Sequence, residues 1–149
     1  MNPMHAHSTK SKPKPNYLLS IVGMKCPRCR RGKLFTNHSA YNFKHTFSMH
    51  DKCSVCGQHF DMEPGFWYGT GYVSYALSVA FSVATFIAWW VLIGISIDDN
   101  RIFWWLGMNA VLLLVLQPWL MRLSRTIYLY FFVRYDPDYE HTEPQKFDY

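Results

Sequence analysis

The alternation of charged and uncharged stretches divides the chain near residue 65. From Phe66 to Ile97 no residue is charged, and the same holds from Ile102 to Met121. Asp98, Asp99, Asn100 and Arg101 separate the two runs as a tight polar turn. About 20 apolar residues in a helix cross the hydrocarbon core of a bilayer, so each run is long enough. The pattern predicts a two-helix transmembrane hairpin, with spans at about 66–97 and 102–121. Asp61-Met62-Glu63-Pro64-Gly65 breaks the chain before the first span, and Phe66-Trp67-Tyr68 is an aromatic cluster suited to the membrane–water interface. Pro118 is expected to kink the second span near its end. The apolar run Ile127 to Val133 is too short to cross. With its flanking arginines and two tyrosines, it predicts an interfacial helix over 122–135.

Within the first span, Ala76, Ala80, Ala84 and Ala88 recur every four residues, with Ser74, Ser78 and Ser82 on a neighbouring row. Small residues at this spacing let helices approach closely in lipid. The expectation is that the alanine face packs on the second span of the same chain. A sharper reading makes it a docking face for another membrane protein or a second copy. Asn109 and Gln117 are the amides of the second span and predict helix–helix hydrogen bonds.

The first half is polar and follows another rule. Residues 1–19 read as a flexible basic arm with no signal-peptide core. Residues 16–25 (NYLLSIVGMK) are a short apolar run, either a strand leading into the next unit or a turn of amphipathic helix on the membrane; the lead-in strand is preferred. Over 20–64 the pattern is set by four cysteines, Cys26 and Cys29 in Cys-Pro-Arg-Cys, and Cys53 and Cys56 in Cys-Ser-Val-Cys-Gly. A two-residue gap lets one tight turn present two thiolates to one tetrahedral ion, so the paired motif predicts a four-cysteine zinc ribbon with a short hairpin between its knuckles. Gly32 and Gly57 are placed to supply the positive φ and close approach that such knuckles need. So small a unit takes much of its folding energy from the metal. Tyr41, Phe43, Phe47 and Phe60 are its expected mini-core. His38, His45, His50 and His59 lie alongside, but four cysteines complete the shell, so they are read as surface residues. Iron in a rubredoxin-like site fits the same spacing and is the alternative to zinc.

Charge sharpens the division. Residues 1–60 carry +9, residues 61–135 are neutral and residues 136–149 carry −4, for a net charge of +5. A basic head suits nucleic acid, anionic lipid or an acidic protein face. The acidic tail of 136–149 is expected to be solvated, with a return to the basic head as the other option. The connecting turn has only Arg101, whereas Arg122, Arg125 and Arg134 follow the second span and Lys52 precedes the first. The positive-inside rule then puts both termini and the ribbon in the cytoplasm, a reducing compartment that favours metal ligation over disulfides.

The spans hold no Asp, Glu, Lys, Arg or His, which argues against a pump, a transporter or a haem protein built from this chain alone. Four thiolates leave no open position for a catalytic zinc water. The expectation is therefore no enzyme and no small-molecule substrate. The residual redox reading is thiol chemistry at Cys26-Pro-Arg-Cys29, favoured by Arg28, Arg30 and Arg31 but lacking a thioredoxin-like pattern.

Cys26-Pro-Arg-Cys-Arg-Arg-Gly-Lys-Leu-Phe35, then Cys53-x-x-Cys-Gly57 with Phe60, then Glu63-Pro-Gly-Phe-Trp-Tyr-Gly69 before two spans, resemble the bacterial domain-of-unknown-function 983 family. Arg125 to Asp136 (RTIYLYFFVRYD) is similar to its form in Bacteroidetes, and the likeness covers roughly 20–137. The resemblance implies the same architecture and the same four ligand positions. Genes of the family lie near those of cytochrome c oxidase in some bacteria, which implies an accessory or assembly role for a respiratory membrane complex. The combined expectation is a mainly α membrane protein of the bacterial inner membrane: an N-terminal zinc ribbon of small β character, a transmembrane hairpin over 65–135 and a C-terminal interfacial helix. Expected partners are membrane lipids and another membrane protein, met through the Ala76, Ala80, Ala84, Ala88 face or the ribbon. A membrane-tethered nucleic-acid-binding ribbon and a rubredoxin-like or thiol redox protein are the alternatives.

Overall fold

The computed structural model describes residues 13–42, 44–61, 64–94, 96 and 98–146. Expectations for arm residues 1–12, for Phe43, Met62, Glu63, Ile95 and Ile97, and for 147–149 lie outside the described residues. The chain is mainly helical. Helix α1 is Tyr17–Val22, a 3-10 turn is Phe66–Gly69, α2 is Thr70–Ile93 and α3 is Arg101–Phe132. No sheet forms among the described residues. The head between α1 and the 3-10 turn holds three isolated antiparallel bridges, Lys25 with Lys33, Phe35 with Met49 and Lys52 with His59. The small β character expected of the ribbon is reduced to these bridges, because tight knuckles leave too few residues between turns for a ladder.

Two helices, Phe66–Ile93 with its 3-10 entry turn and Arg101–Phe132, are long and apolar enough to cross a membrane. The rest of the chain buries none of the most apolar stretch of the first and 11% of that of the second. Tyr72, Val83, Val91, Phe103 and Leu114 stay exposed on their outer faces. So large an apolar surface needs lipid or a protein partner to cover it.

The hairpin closes along the hydroxyl row, not along the alanines. Thr85 Oγ1 donates to Asn109 Oδ1 at 3.0 Å, and Asn109 Nδ2 donates to Ser82 Oγ at 3.1 Å. Ser74 is buried on the same row, whereas Ala76, Ala80, Ala84 and Ala88 are all exposed. The expectation that the alanine face packs on the second span is therefore overturned. In lipid an amide gains by turning toward a polar partner, and Asn109 sets the helix rotation accordingly. Phe86 and Trp105 meet edge to face at 5.0 Å beside this contact.

No separate helix covers 122–135. Those residues up to Phe132 are the end of α3, which runs through Pro118 without a break. At 1.5 Å per residue, α3 with 32 residues is about 48 Å long and α2 with 24 about 36 Å. The surplus on α3 is met by the 3-10 turn and by the head. Phe66 packs on Tyr128 at 4.9 Å and Phe132 at 5.3 Å, and Tyr128 packs on Phe132 at 5.0 Å. Gly69 lies so close to the Tyr128 ring that a Cβ there would overlap it.

The preferred reading of 16–25 as a strand also fails. Tyr17–Val22 is a turn of helix on α3, with Tyr17 edge-on to Tyr130 at 5.6 Å and Ser20 buried. Leu18, Leu19 and Val22 face outward. The predicted aromatic mini-core is likewise wrong in part. Phe60 is buried, but Tyr41 and Phe47 are about half exposed. The head instead buries Leu34 and Phe35, and completes its core with Leu129 and Val133 of α3 and Tyr139 of the tail. A unit this small cannot enclose a core alone and borrows apolar surface from its neighbours.

Candidate metal centre

The two knuckles repeat one backbone design. Arg30 N–H donates to Cys26 C=O at 2.8 Å, and Gly57 N–H donates to Cys53 C=O at 2.9 Å. Cys26 N–H donates to Gly32 C=O, and Cys53 N–H to Gln58 C=O, closing each turn. The residue after each second cysteine is left-handed, Arg30 at φ 55° and Gly57 at φ 68°. The sequence expectation holds for Gly57. In the first knuckle Arg30, not Gly32, takes the positive φ. Gly32 serves the close approach instead, since a Cβ there would fall on Cys53 Sγ.

These turns bring Cys26, Cys29, Cys53 and Cys56 together, with all four Sγ atoms within 4.8 Å of one another. Cys26 Sγ lies 3.7 Å from Cys56 Sγ, and Cys29 Sγ 3.7 Å from Cys53 Sγ. A tetrahedral ion with metal–sulfur bonds of about 2.3 Å has sulfur–sulfur edges of about 3.8 Å, so the four could bind a metal ion. Gly32 N–H points at Cys29 Sγ and Val55 N–H at Cys53 Sγ, each at 3.5 Å, which supports thiolate charge. Without a cation the clustered sulfurs divide their protons unevenly. Contact with Cys26 pulls Cys29 far below the ordinary thiol range and holds Cys53 at about 6, while contact with Cys29 pushes Cys26 far above it. A central divalent cation satisfies all four as thiolates at once. His38, His45, His50 and His59 are exposed and are not among the clustered ligands.

The tail that was expected to be solvated is folded over the first knuckle. Arg28, between the two cysteines, is 1% exposed. Its Nη1 donates to Cys56 C=O at 3.3 Å. Its Nη2 faces Thr142 C=O and Thr142 Oγ1 at 2.7 Å each, Glu143 C=O at 2.8 Å and Asp136 Oδ2 at 3.4 Å. Asp136 N–H donates back to Arg28 C=O at 3.1 Å. Asp136 is held below the usual carboxylate range by a hydrogen bond from Thr142, with Arg28 contributing. Behind the second knuckle, the buried Gln58 side chain pairs with the Gln145 backbone. Gln145 N–H donates to Oε1 at 2.9 Å and Nε2 donates to Gln145 C=O at 3.0 Å.

A second arginine fixes the head to α3. Arg122 is 2% exposed and donates to the carbonyls of Thr46, Asn37 and Ser39 at 2.9, 2.9 and 2.8 Å. Its guanidinium lies 4.8 Å from the Phe35 ring centre. Arg125 covers Phe47 and Trp67, and Arg30 stacks between Tyr17 and Tyr135. Sequence reasoning counted these arginines as surface charge and missed Arg28, Gln58, Arg122 and Thr142. The opposite charges of head and tail were the available clue. Of the described basic residues in 1–60, Arg28 is buried and Arg30 half-buried, while Lys14, Lys25, Arg31, Lys33, Lys44 and Lys52 stay exposed. Gathering all four sulfurs in one cluster gives metal ligation more support than dithiol exchange.

Residues 43–134, more than half of the chain, match the family described as "Protein of unknown function (DUF983)", and the chain belongs to that family. The matched stretch contains Cys53, Cys56 and both long helices, while Cys26 and Cys29 precede it. Neither the curated proteins nor the solved structures include a match to the chain.

Proposed function

We propose that this DUF983 member is a non-enzymatic protein of the bacterial inner membrane, in which a structural zinc ribbon caps a two-helix hairpin, and that it serves as an accessory or assembly subunit of a larger membrane complex. The observation that carries this reading is the closed cysteine cluster. Four buried sulfurs surround one point, and the tail and α3 pack around the head that bears them. Zinc held there would supply folding energy to the head and would offer no open coordination position. Iron is the alternative ion, since a thiolate tetrahedron accepts either.

The uncovered helix faces support the need for a partner. In this reading the exposed Ala76, Ala80, Ala84, Ala88 face is where a helix of the larger complex approaches. The head and both chain ends lie on the cytoplasmic side, as the basic residues around the outer ends of the hairpin favour. A respiratory, cytochrome oxidase-related complex is the proposed setting, on the family resemblance alone.

Solubilisation of native membranes in mild detergent, followed by capture of the full chain, tests the proposal. A defined membrane protein should co-purify with it in fixed ratio, and metal analysis of the same sample should give one zinc per chain. A lone monomer with no co-purifying protein would sink the subunit reading. Stoichiometric iron would replace it with electron transfer.

A further inference from the structure

The geometry points to a binding site for the phosphate of an anionic phospholipid headgroup, in a cavity of about 260 Å³ where α1, the head and α3 meet. Val22, Lys33, Phe35, His38, Trp119 and Arg122 line it. Among the described lining residues three are basic types and none is acidic. Arg122 is the reason the cavity is more than a seam. Its guanidinium is buried, and each hydrogen bond described for it ends on a neutral carbonyl. Carbonyl dipoles hold the group in place without cancelling its charge, and a charge taken out of water is stabilised by an opposite one nearby. Lys33 and His38 are exposed at the rim, where they can reach a ligand that enters from outside.

Position selects the ligand class. Trp119 is near the end of the uncharged run of α3, and Arg122 lies one turn beyond it. Both fall between Asn109, which meets Ser82 and Thr85, and Tyr128, which abuts Gly69. The facing stretch of α2 carries the exposed Tyr72 and Tyr75, with Tyr68 just before it. Tyrosine and tryptophan at one level mark the headgroup layer. The cavity therefore opens where lipid phosphates sit; Val22 of α1 lines it, and the exposed Leu18 and Leu19 of the same helix add apolar surface for acyl chains. The inference does not depend on which protein partner the chain has.

Native mass spectrometry of the full-length, metal-loaded protein, released from detergent with added phosphatidylglycerol or phosphatidylcholine, tests the assignment. Phosphatidylglycerol should be retained in preference to phosphatidylcholine. Reversing one charge, with Lys33→Glu, changes the charge by two units and should weaken that retention about 25-fold, on about a fivefold effect per unit of charge. Lys44→Glu, an exposed head lysine outside the cavity lining, should leave it unchanged. Lys33→Glu keeps Arg122 in place, so the result does not rest on a variant that unfolds the head. Equal retention of the two lipids, or an unchanged Lys33→Glu protein, overturns the proposal. Retention of inorganic phosphate or glycerol 3-phosphate in place of the lipid would assign the cavity to a soluble phosphate and overturn the lipid assignment.

Discussion

Replacing Arg28 by alanine should free the C-terminal tail while leaving the four sulfurs in place. Arg28 is fully buried, and its guanidinium is the common partner of Cys56 C=O, Thr142, Glu143 C=O and Asp136. Nη1 serves one acceptor, and the two hydrogens of Nη2 serve two of its four at a time. Three charged-donor hydrogen bonds at about 1.5 kcal/mol each give about 4.5 kcal/mol. The Nη1 bond stays within the head and only the two Nη2 bonds reach the tail, so about 3 kcal/mol is the expected loss of tail docking. A loss of that size raises the open population by about 150-fold. The assay is limited proteolysis by a glutamyl endopeptidase, read at Glu140 and Glu143 on the purified protein in detergent. With reclosing faster than cleavage, the rate tracks the open population and should rise about 150-fold in Arg28→Ala. Arg28→Lys keeps the charge but loses the planar fork, and should fall between the two. Equal cleavage of wild type and Arg28→Ala would show that the guanidinium does not hold the tail, and the clamp would have to be abandoned.

Gly32→Ala should cut bound metal well below one ion per chain, because the added Cβ lands on Cys53 Sγ; metal analysis after gel filtration reads this. Asn109→Leu should loosen the hairpin by about 1 kcal/mol, as for interhelical hydrogen bonds in lipid, lowering the melting temperature without loss of metal. The Asp136 carboxyl is depressed in the folded state, so its contribution to tail docking is present above the ordinary carboxylate pKa of about 4 and is lost as pH falls through the depressed value. Tail cleavage by an acid-tolerant protease should therefore accelerate below pH of about 4, and Asp136→Asn should show the fast rate at neutral pH without that dependence. Chelation should unfold the head before the hairpin, seen as faster alkylation of all four cysteines while the helical circular dichroism signal persists.

The cysteine spacing and the two uncharged runs are local properties, and each was legible from the chain alone. A two-residue gap fixes a knuckle whatever surrounds it, and an apolar helix long enough to cross a bilayer satisfies its own backbone. The face that α2 turns toward α3 was not legible in this way. Alanines and serines both recur every four residues, and the choice between them depends on where Asn109 sits across the hairpin. The core of the head was hidden for a similar reason, since Leu129, Val133 and Tyr139 lie far from Leu34 and Phe60 in sequence.

By itself, then, the sequence determined the four-sulfur cluster, the helical hairpin and the family likeness. Only the tertiary structure decided that Arg28 and Arg122 are interior groups and that the acidic tail closes over the basic head. A charged side chain can be buried only where carbonyls and carboxylates from distant segments converge on it. That convergence is set by how the head, α3 and the tail pack together, and no local pattern along the chain encodes it.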